Sequence, residues 1–349
     1  MKKIKVLIVD DSSFIRQMFE TLLASDPEIE VLDSAKDPYD AREKIKTLNP
    51  DVITLDIEMP KMDGISFLEK IMTLRPMPVV MVSSLTQKGA DITLKALEMG
   101  AVDYIGKPVE NQNNETISTL REELITKVKA AAKAKVDNLI PNRKKTSEHE
   151  ELTIPKGKIL KRKLIAIGSS TGGVEALKEV LTLIPEASPP ILIVQHMPER
   201  FTKSFAQRLN GICKIKVHEA EDGQSILPGN AYISPGGRHL RIKKQASGYV
   251  CGVQIGEKVS GHCPSVDVLF DSVADVCGNS TIGVILTGMG SDGAKSMLRM
   301  RKSGAINIGQ NEATCVVYGM PKEAKLNGAV EIEAPLNGIA KEIIKQCFN

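Results

Sequence analysis

The sequence predicts an α/β protein built as two doubly wound, largely parallel sheets joined by a linker. Three observations predict it. The chain has 349 residues, too many for one ordinary core and suited to two domains. Short apolar runs alternate with helix-period runs along nearly its whole length, the mark of parallel β/α units. The alternation breaks once, in a basic, aperiodic stretch near the middle.

The first part carries five strand patterns: "IKVLIVD", "EIEVLDSA", "DVITLDI", "MPVVMVSS" and "AVDYIGK". Helical patterns such as "GISFLEKIMTL" and "DITLKALEMG" separate them. Crossovers of this length between parallel strands imply a flavodoxin-like, doubly wound domain. A last helix is expected from about Asn113, with Ile117, Leu120, Leu124 and Val128 at helical spacing. Its continuation, "KAAAKAKV", consists mostly of strong helix formers and is expected to run on into solvent.

The stretch "DNLIPNRKKTSEHEELTIPKGK" has no periodicity and holds two prolines. Residues 126–163 contain 12 Lys/Arg against 4 Asp/Glu, an excess of 8 in a chain of net charge +3, so the remainder is −5. A solvated linker explains that local excess better than a nucleic-acid-binding face does. The expected division is 1–125 for the first domain, 126–160 for the linker and 161–349 for the second domain.

From Lys161 a second α/β pattern begins, with strands expected at "KLIAIG", "PILIVQH", "KIKVHEA", "NAYISP", "TIGVILTG" and "GAINIG". Short strands dominate between Ala231 and Ile255, including "HLRIKK" and "GYVCGVQI". They suggest a β-hairpin insert in a Rossmann-like parallel α/β domain.

Composition narrows the function. The chain is 42% apolar and 26% charged, as globular proteins are, and aromatics are 3% with no Trp, which argues against a base-stacking surface. No apolar run approaches the roughly 18 residues a membrane span needs. The start "MKKIKVLIVDD" reads as a first strand ended by Asp10 and Asp11, not as a signal peptide. A cytoplasmic protein without direct membrane insertion is expected. Six cysteines are scattered singly with no CxxC pair, the pattern of small buried residues in a reducing compartment.

The first candidate site gathers strand ends. Asp10 and Asp11 close the first strand and Asp56 the third; Ser83 and Ser84 close the fourth, and Lys107 the fifth. In a parallel sheet these ends face one crevice. Three carboxylates there repel one another unless a cation sits among them, and hard oxygen donors with room for water suit Mg²⁺. Asp56 is also a nucleophile that phosphorus chemistry can use, with a lysine and a serine hydroxyl as partners for phosphoryl oxygens.

The second candidate site lies in "LIAIGSSTGGVEALKEVL", where a strand stops at Gly168 and a helical pattern on Val174, Leu177, Val180 and Leu181 follows. Such a turn either cradles a phosphate or holds up a nucleophile. It lacks G-x-G-x-x-G and any G-K-[ST] ending, and it matches G-x-S-x-G with Ser170 at the centre. A serine needs a base and the base an orienter. Of five histidines, His196 directly follows the strand "PILIVQ" and so shares the sheet edge of Ser170. His149 falls in the linker, and His218, His239 and His262 read as ordinary surface or loop residues. Asp292 follows the strand in "TIGVILTGMGSDGA" and is the candidate orienter. A structural histidine and a helix N-cap are the plainer readings of His196 and Asp292. The Met289 N–H, in the same glycine-rich turn, is a candidate oxyanion donor.

Residues 1–125 resemble a response-regulator receiver domain, on the strength of "VDDS", "LDIEMPKMDG", "MVSS" and "GAVDYIGKP". The resemblance implies that Asp56 accepts phosphate from a chemotaxis histidine kinase, and that Asp10, Asp11 and Asp56 bind Mg²⁺. It implies further that Ser83 is the switch hydroxyl, Lys107 the phosphate partner and Tyr104 the aromatic that changes rotamer. The second domain resembles the chemotaxis protein-glutamate methylesterase family, CheB. The matching stretches are "IGSSTGGVEAL", "VQHMPERFTKSFAQRL", "ISPGGRHL", "PSVDVLFDSVA", "VILTGMGSDGA" and "VVYGMPKEA". This resemblance implies a Ser170–His196–Asp292 triad assisted by Thr171 and the Met289 amide, with no cofactor in the catalytic domain. The implied reaction is hydrolysis of glutamate γ-methyl esters on methyl-accepting chemoreceptors, with deamidation of certain receptor glutamines open to the same chemistry. Phosphorylation would regulate it. A phosphorylation-controlled DNA-binding regulator, a non-enzymatic switch or scaffold and a small-ester hydrolase are the competing readings, and no helix-turn-helix pattern supports the first.

Overall fold

The computed structural model describes residues 2–84, 86–108, 114–139, 152–153, 160, 163–246 and 248–348. Most of the expected linker, His149 included, lies outside the described residues. The chain divides into two compact units, Met1–Lys145 and Thr146–Asn349.

In the first unit the elements run β1 (Ile4–Val9), α1 (Ser13–Ala24), β2 (Ile29–Ala35), α2 (Pro38–Leu48), β3 (Val52–Asp56), α3 (Gly64–Leu74), β4 (Val79–Ser83), α4 (Gln87–Glu98), β5 (Asp103–Gly106) and α5 (Asn114–Ala132). The five strands pair in the order β2-β1-β3-β4-β5, every pair parallel. This is the doubly wound order that the alternation of the sequence predicts. All five residues of β3, and all five of β4, are buried, because helices cover both faces of the sheet. The first four helix starts have a local cause. Ser12, Asp37, Asp63 and Thr86 accept amide hydrogen bonds as N-caps of α1, α2, α3 and α4.

One expectation needs correcting. The alanine- and lysine-rich continuation of α5 does not project into solvent: the helix ends at Ala132, and Val128, Ala130 and Ala131 are buried. Strong helix propensity sets what a segment adopts in isolation; the small apolar face then finds a surface to cover.

The second unit runs β6 (Leu164–Ser169), α6 (Gly173–Leu183), β7 (Ile191–Gln195), α7 (Phe201–Asn210), β8 (Lys216–Glu219), β9 (Asn230–Ile233), β10 (His239–Gln245), β11 (Gly248–Gln254), α8 (Val266–Val276), β12 (Thr281–Ile285), α9 (Ala294–Lys302), β13 (Ile306–Gln310), α10 (Met320–Leu326), β14 (Ile332–Ala334) and α11 (Leu336–Gln346). Seven strands form one parallel sheet in the order β14-β13-β12-β6-β7-β9-β8. The strand direction of travel reverses between β6 and β12, which makes their carboxyl ends the switch point where such sheets bind ligands. The expected hairpin is present as the antiparallel pair β10–β11, separate from the sheet. Leu240, Ile242, Cys251 and Val253 of the hairpin are buried in the same apolar core as Leu269 and Val273 of α8. The three-residue β14 is too short to leave a period in the sequence.

Candidate active site

The carboxylate crevice of the first unit forms at the ends of β1 and β3. Asp10, Asp11 and Asp56 each offer an oxygen within 4.8 Å of the others. Asp10 and Asp56 are buried and Asp11 is exposed. The Lys107 ammonium lies 2.7 Å from Asp56 Oδ2 and 3.8 Å from Asp10 Oδ2. Asp56 Oδ1 accepts the Glu58 N–H at 3.1 Å and Asp10 Oδ1 the Ser12 N–H at 2.9 Å.

Burial, then the charge of Asp10, pushes the Asp56 carboxyl up to about 6, against the opposing pull of Lys107. Burial likewise raises Asp10, although Lys107 opposes it. Burial alone would lower Lys107, but its bond to Asp56 and the surrounding negative charge raise it. One lysine therefore does not neutralise the cluster. Asp10 Oδ2 accepts no hydrogen bond among the described residues. Hard oxygens with a spare buried acceptor fit a divalent cation such as Mg²⁺.

The Ser83 hydroxyl, buried at the end of β4, lies at hydrogen-bond distance, 2.7 Å, from Thr93 Oγ1 of α4. Thr93 in turn bonds the Gly89 carbonyl at 2.7 Å. Thr93 carries no sequence signal of its own; only packing of α4 on β4 reveals it. Tyr104 is buried in β5, and burial pushes its hydroxyl well above the usual range. The Lys127 ammonium lies 4.8 Å from the centre of its ring and donates to its carbonyl at 2.5 Å.

In the second unit, Ser170 follows β6, His196 follows β7 and Asp292 follows β12, three adjacent strand ends. Ser170 Oγ lies 3.1 Å from His196 Nδ1, and His196 Nε2 lies 2.8 Å from Asp292 Oδ2. A buried carboxylate is only an acceptor, so Nε2 carries the proton and Nδ1 presents a lone pair to the serine. Burial acts to raise the Asp292 pKa, but the bonds from His196 and from the Asp267 and Val266 amides outweigh it, and the net shift is downward.

The turn around Ser170 is shaped by absent side chains. Gly172 adopts φ +77°, and a Cβ on Gly173 would lie 2.1 Å from Gln195 Oε1. Among the described residues the positive φ of this turn falls on Gly172 and not on Ser170, so the serine itself is unstrained, unlike that of the α/β-hydrolase elbow. Gln195, invisible as a motif, braces both partners. Its Nε2 donates to the Ser170 carbonyl at 3.0 Å and the His196 carbonyl at 3.3 Å, and its Oε1 accepts from Ser169 at 2.7 Å.

Asp292 does cap a helix, though not the one it precedes. Gly293 is the N-cap of α9, while Asp292 accepts the Val266 and Asp267 amides at the start of α8, at 2.7 and 2.9 Å. Ser265 Oγ adds a third bond at 2.8 Å. The helix dipole of α8 thus faces the carboxylate. Thr171 is buried, and its carbonyl accepts from Thr287 Oγ1 at 3.0 Å. The Met289 N–H donates to nothing among the described residues. It adjoins Gly288, where a Cβ would lie 2.8 Å from the Ser170 Cβ, so this turn passes directly against Ser170.

Two further histidines depart from expectation. His239 is buried, donating from Nε2 to the Glu257 carbonyl at 2.8 Å. His262 is not an ordinary loop residue: its ring stacks on that of His196. His218 bonds Asn230 at 2.8 Å, away from the site.

Residues 165–343 match the family CheB methylesterase, and residues 6–118 match the response regulator receiver domain. The chain is 50% identical over 347 residues to the protein-glutamate methylesterase/protein-glutamine glutaminase of Nitrosomonas europaea, covering 99% of this chain and 96% of that one. It is also 50% identical over 346 residues to the protein of the same name from Pectobacterium atrosepticum, covering 99% and 97%. The crystal structure of the Thermotoga maritima CheB methylesterase catalytic domain is similar, with 39% identity and a TM-score of 0.52 over 53% of this chain and 98% of that one.

Proposed function

The chain belongs to the CheB methylesterase family, and from that premise we propose how its own side chains carry the reaction and its control. It is a phosphorylation-regulated chemotaxis enzyme, a carboxylic ester hydrolase of the protein-glutamate methylesterase class, with a receiver domain ahead of the catalytic one. The expected boundary of 1–125 for the receiver falls inside α5, so in our reading that helix carries the receiver on to Ala132, the linker follows to 160 and the catalytic domain spans 161–349.

In the proposed mechanism, His196 Nδ1 takes the proton of Ser170 as its oxygen attacks the ester carbonyl of a glutamate γ-methyl ester. The developing oxyanion is met by the Met289 N–H, with Thr171 beside the nucleophile. The imidazolium, steadied by ionised Asp292, returns its proton to the leaving methoxide, and methanol departs. Water, deprotonated by His196, attacks the acyl-serine; the proton returns to Ser170 and free glutamate is released. A glutamine side chain would follow the same route with ammonia as the leaving group. The substrates are proposed to be methyl-accepting chemoreceptors.

The observation that carries this reading is the chain of contacts Ser170–His196–Asp292 at 3.1 and 2.8 Å, ending on a buried carboxylate held at a helix start.

In the receiver, Asp56 is proposed to accept the phosphoryl group of a chemotaxis histidine kinase, with Lys107 as partner of its oxygens. Asp10, Asp11 and Asp56 would hold Mg²⁺, whose charge would offset that of the phosphoryl oxygens. Ser83 would turn toward the acyl phosphate, and Tyr104 would change rotamer with it. Among the described residues no helix is long and apolar enough to cross a membrane. We propose a cytoplasmic enzyme without direct membrane insertion and without a nucleic-acid partner.

The test is methanol release from methylated receptor with and without a small phosphodonor. Wild type should be stimulated, Asp56→Asn should lose the stimulation only, and Ser170→Ala should be inactive in both conditions. Methanol release by Ser170→Ala at the wild-type rate would overturn the reading.

A further inference from the structure

His262 lies in the strap of residues 255–265 that joins β11 to α8. Its ring is nearly parallel to that of His196, with centroids 3.7 Å apart and an interplanar angle of 14°. That separation is van der Waals contact, so one face of the base is covered by a flat ring instead of water.

The strap is itself held. Val259 and His262 exchange two backbone hydrogen bonds of 3.0 Å, closing a turn on Ser260 and Gly261 at φ 52° and 82°. Two positive φ values suit a type I′ turn, and a serine there costs backbone strain. Ser260 Oγ offsets it by donating to Asp267 Oδ2 at 2.7 Å. The amide of Asp267 donates to Asp292, so the turn and the carboxylate share one support. At the strap's flanks, His239 bonds the Glu257 carbonyl at 2.8 Å, and the Gly237 N–H reaches the Cys263 carbonyl at 3.3 Å.

A tilt of the His196 ring about its Cβ–Cγ bond carries Nδ1 and Nε2 off their two hydrogen bonds and turns the Nδ1 lone pair away from the Ser170 hydroxyl. A parallel ring in contact opposes that tilt. We infer that His262 is a positioning residue of the esterase reaction, and that the flat face of its ring, not its nitrogens, holds His196 in line with Ser170. The inference rests on His196 being the base of the proposed reaction.

The test uses the full chain with phosphodonor and methylated receptor. His262→Ala should lower kcat about tenfold or more with KM within about twofold, the scale at which misalignment of reacting groups acts. His262→Phe, which keeps a flat ring, should recover kcat to within about threefold of wild type. The rate at which a fluorophosphonate labels Ser170 should fall and recover in parallel, with no receptor present. Thermal midpoints and phosphodonor labelling of Asp56 should match wild type in both variants, which excludes a general loss of fold. Wild-type kcat in His262→Ala, or a His262→Phe as slow as His262→Ala, would overturn the inference; the latter result would make a ring nitrogen the working part. An effect confined to KM would overturn it in favour of a substrate contact. Should Ser170→Ala remain active, the underlying triad reading fails instead, whatever His262 does.

Discussion

Replacing Asp292 by asparagine tests its proposed role, orienting His196 and stabilising the imidazolium, with almost no change of shape. The carboxylate accepts four bonds on two oxygens: Oδ2 takes His196 Nε2–H and the Val266 amide, and Oδ1 takes Ser265 Oγ–H and the Asp267 amide. An amide keeps one oxygen. If its NH₂ faces His196, the imidazole must present a lone pair at Nε2, its proton moves to Nδ1, and it no longer accepts the proton of Ser170. If the NH₂ faces Ser265 and Asp267, the tautomer survives, but the imidazolium loses its negative partner. Either orientation strands one buried amide, Val266 or Asp267, at about 1–3 kcal/mol of stability. Wrong tautomer or lost charge should lower kcat by about 10³- to 10⁴-fold, roughly 4–5.5 kcal/mol of transition-state stabilisation. Methanol release from methylated receptor measures kcat, and a thermal melt measures the stability change. A variant with kcat within about tenfold of wild type would refute the role assigned to Asp292.

Three further outcomes are expected. Gln195→Leu removes the bonds to the Ser170 and His196 carbonyls and should lower kcat by about 10²-fold with little change in KM, checked by steady-state kinetics. Thr93→Val frees the Ser83 hydroxyl from its buried partner, so half-maximal stimulation should need less phosphodonor; an unchanged requirement counts against a restraint by Thr93. In chelator, Asp56 has a folded pKa raised to about 6 from 3.8, so the folded form prefers it protonated. Stability is then unaffected below the unfolded pKa and declines as pH rises toward 6, by roughly 3 kcal/mol in all. Thermal midpoints between pH 4 and 7 should show that decline for wild type, a flatter profile for Asp56→Asn, and its reversal when Mg²⁺ is added.

The repeating units were legible because the central strands are buried on both faces and the helices on one, and those burial patterns are written in the residue order. "DVITLDI" and "MPVVMVSS" become β3 and β4, wholly buried. Strand ends were legible for the same reason, and with them the places of Ser170, His196 and Asp292, since a polar residue directly after an apolar run marks the sheet's edge. Gln195, Thr93 and Ser265 were not. Each is a common polar residue whose meaning lies in a partner 10 to 27 positions away. His262 was misread because a histidine in a polar loop looks solvated until the loop folds back over His196.

The sequence by itself determined that the chain is two α/β domains, where most of the strands stop and which reactive groups sit at those stops, because local periodicity and turn chemistry act over a few residues. Only the tertiary structure decided which strand ends are neighbours, that Asp292 caps α8 and not its own helix, and that one imidazole lies flat on another. Those contacts depend on the order of strands in the sheet and on loops closing over its edge, and no short stretch of chain encodes either.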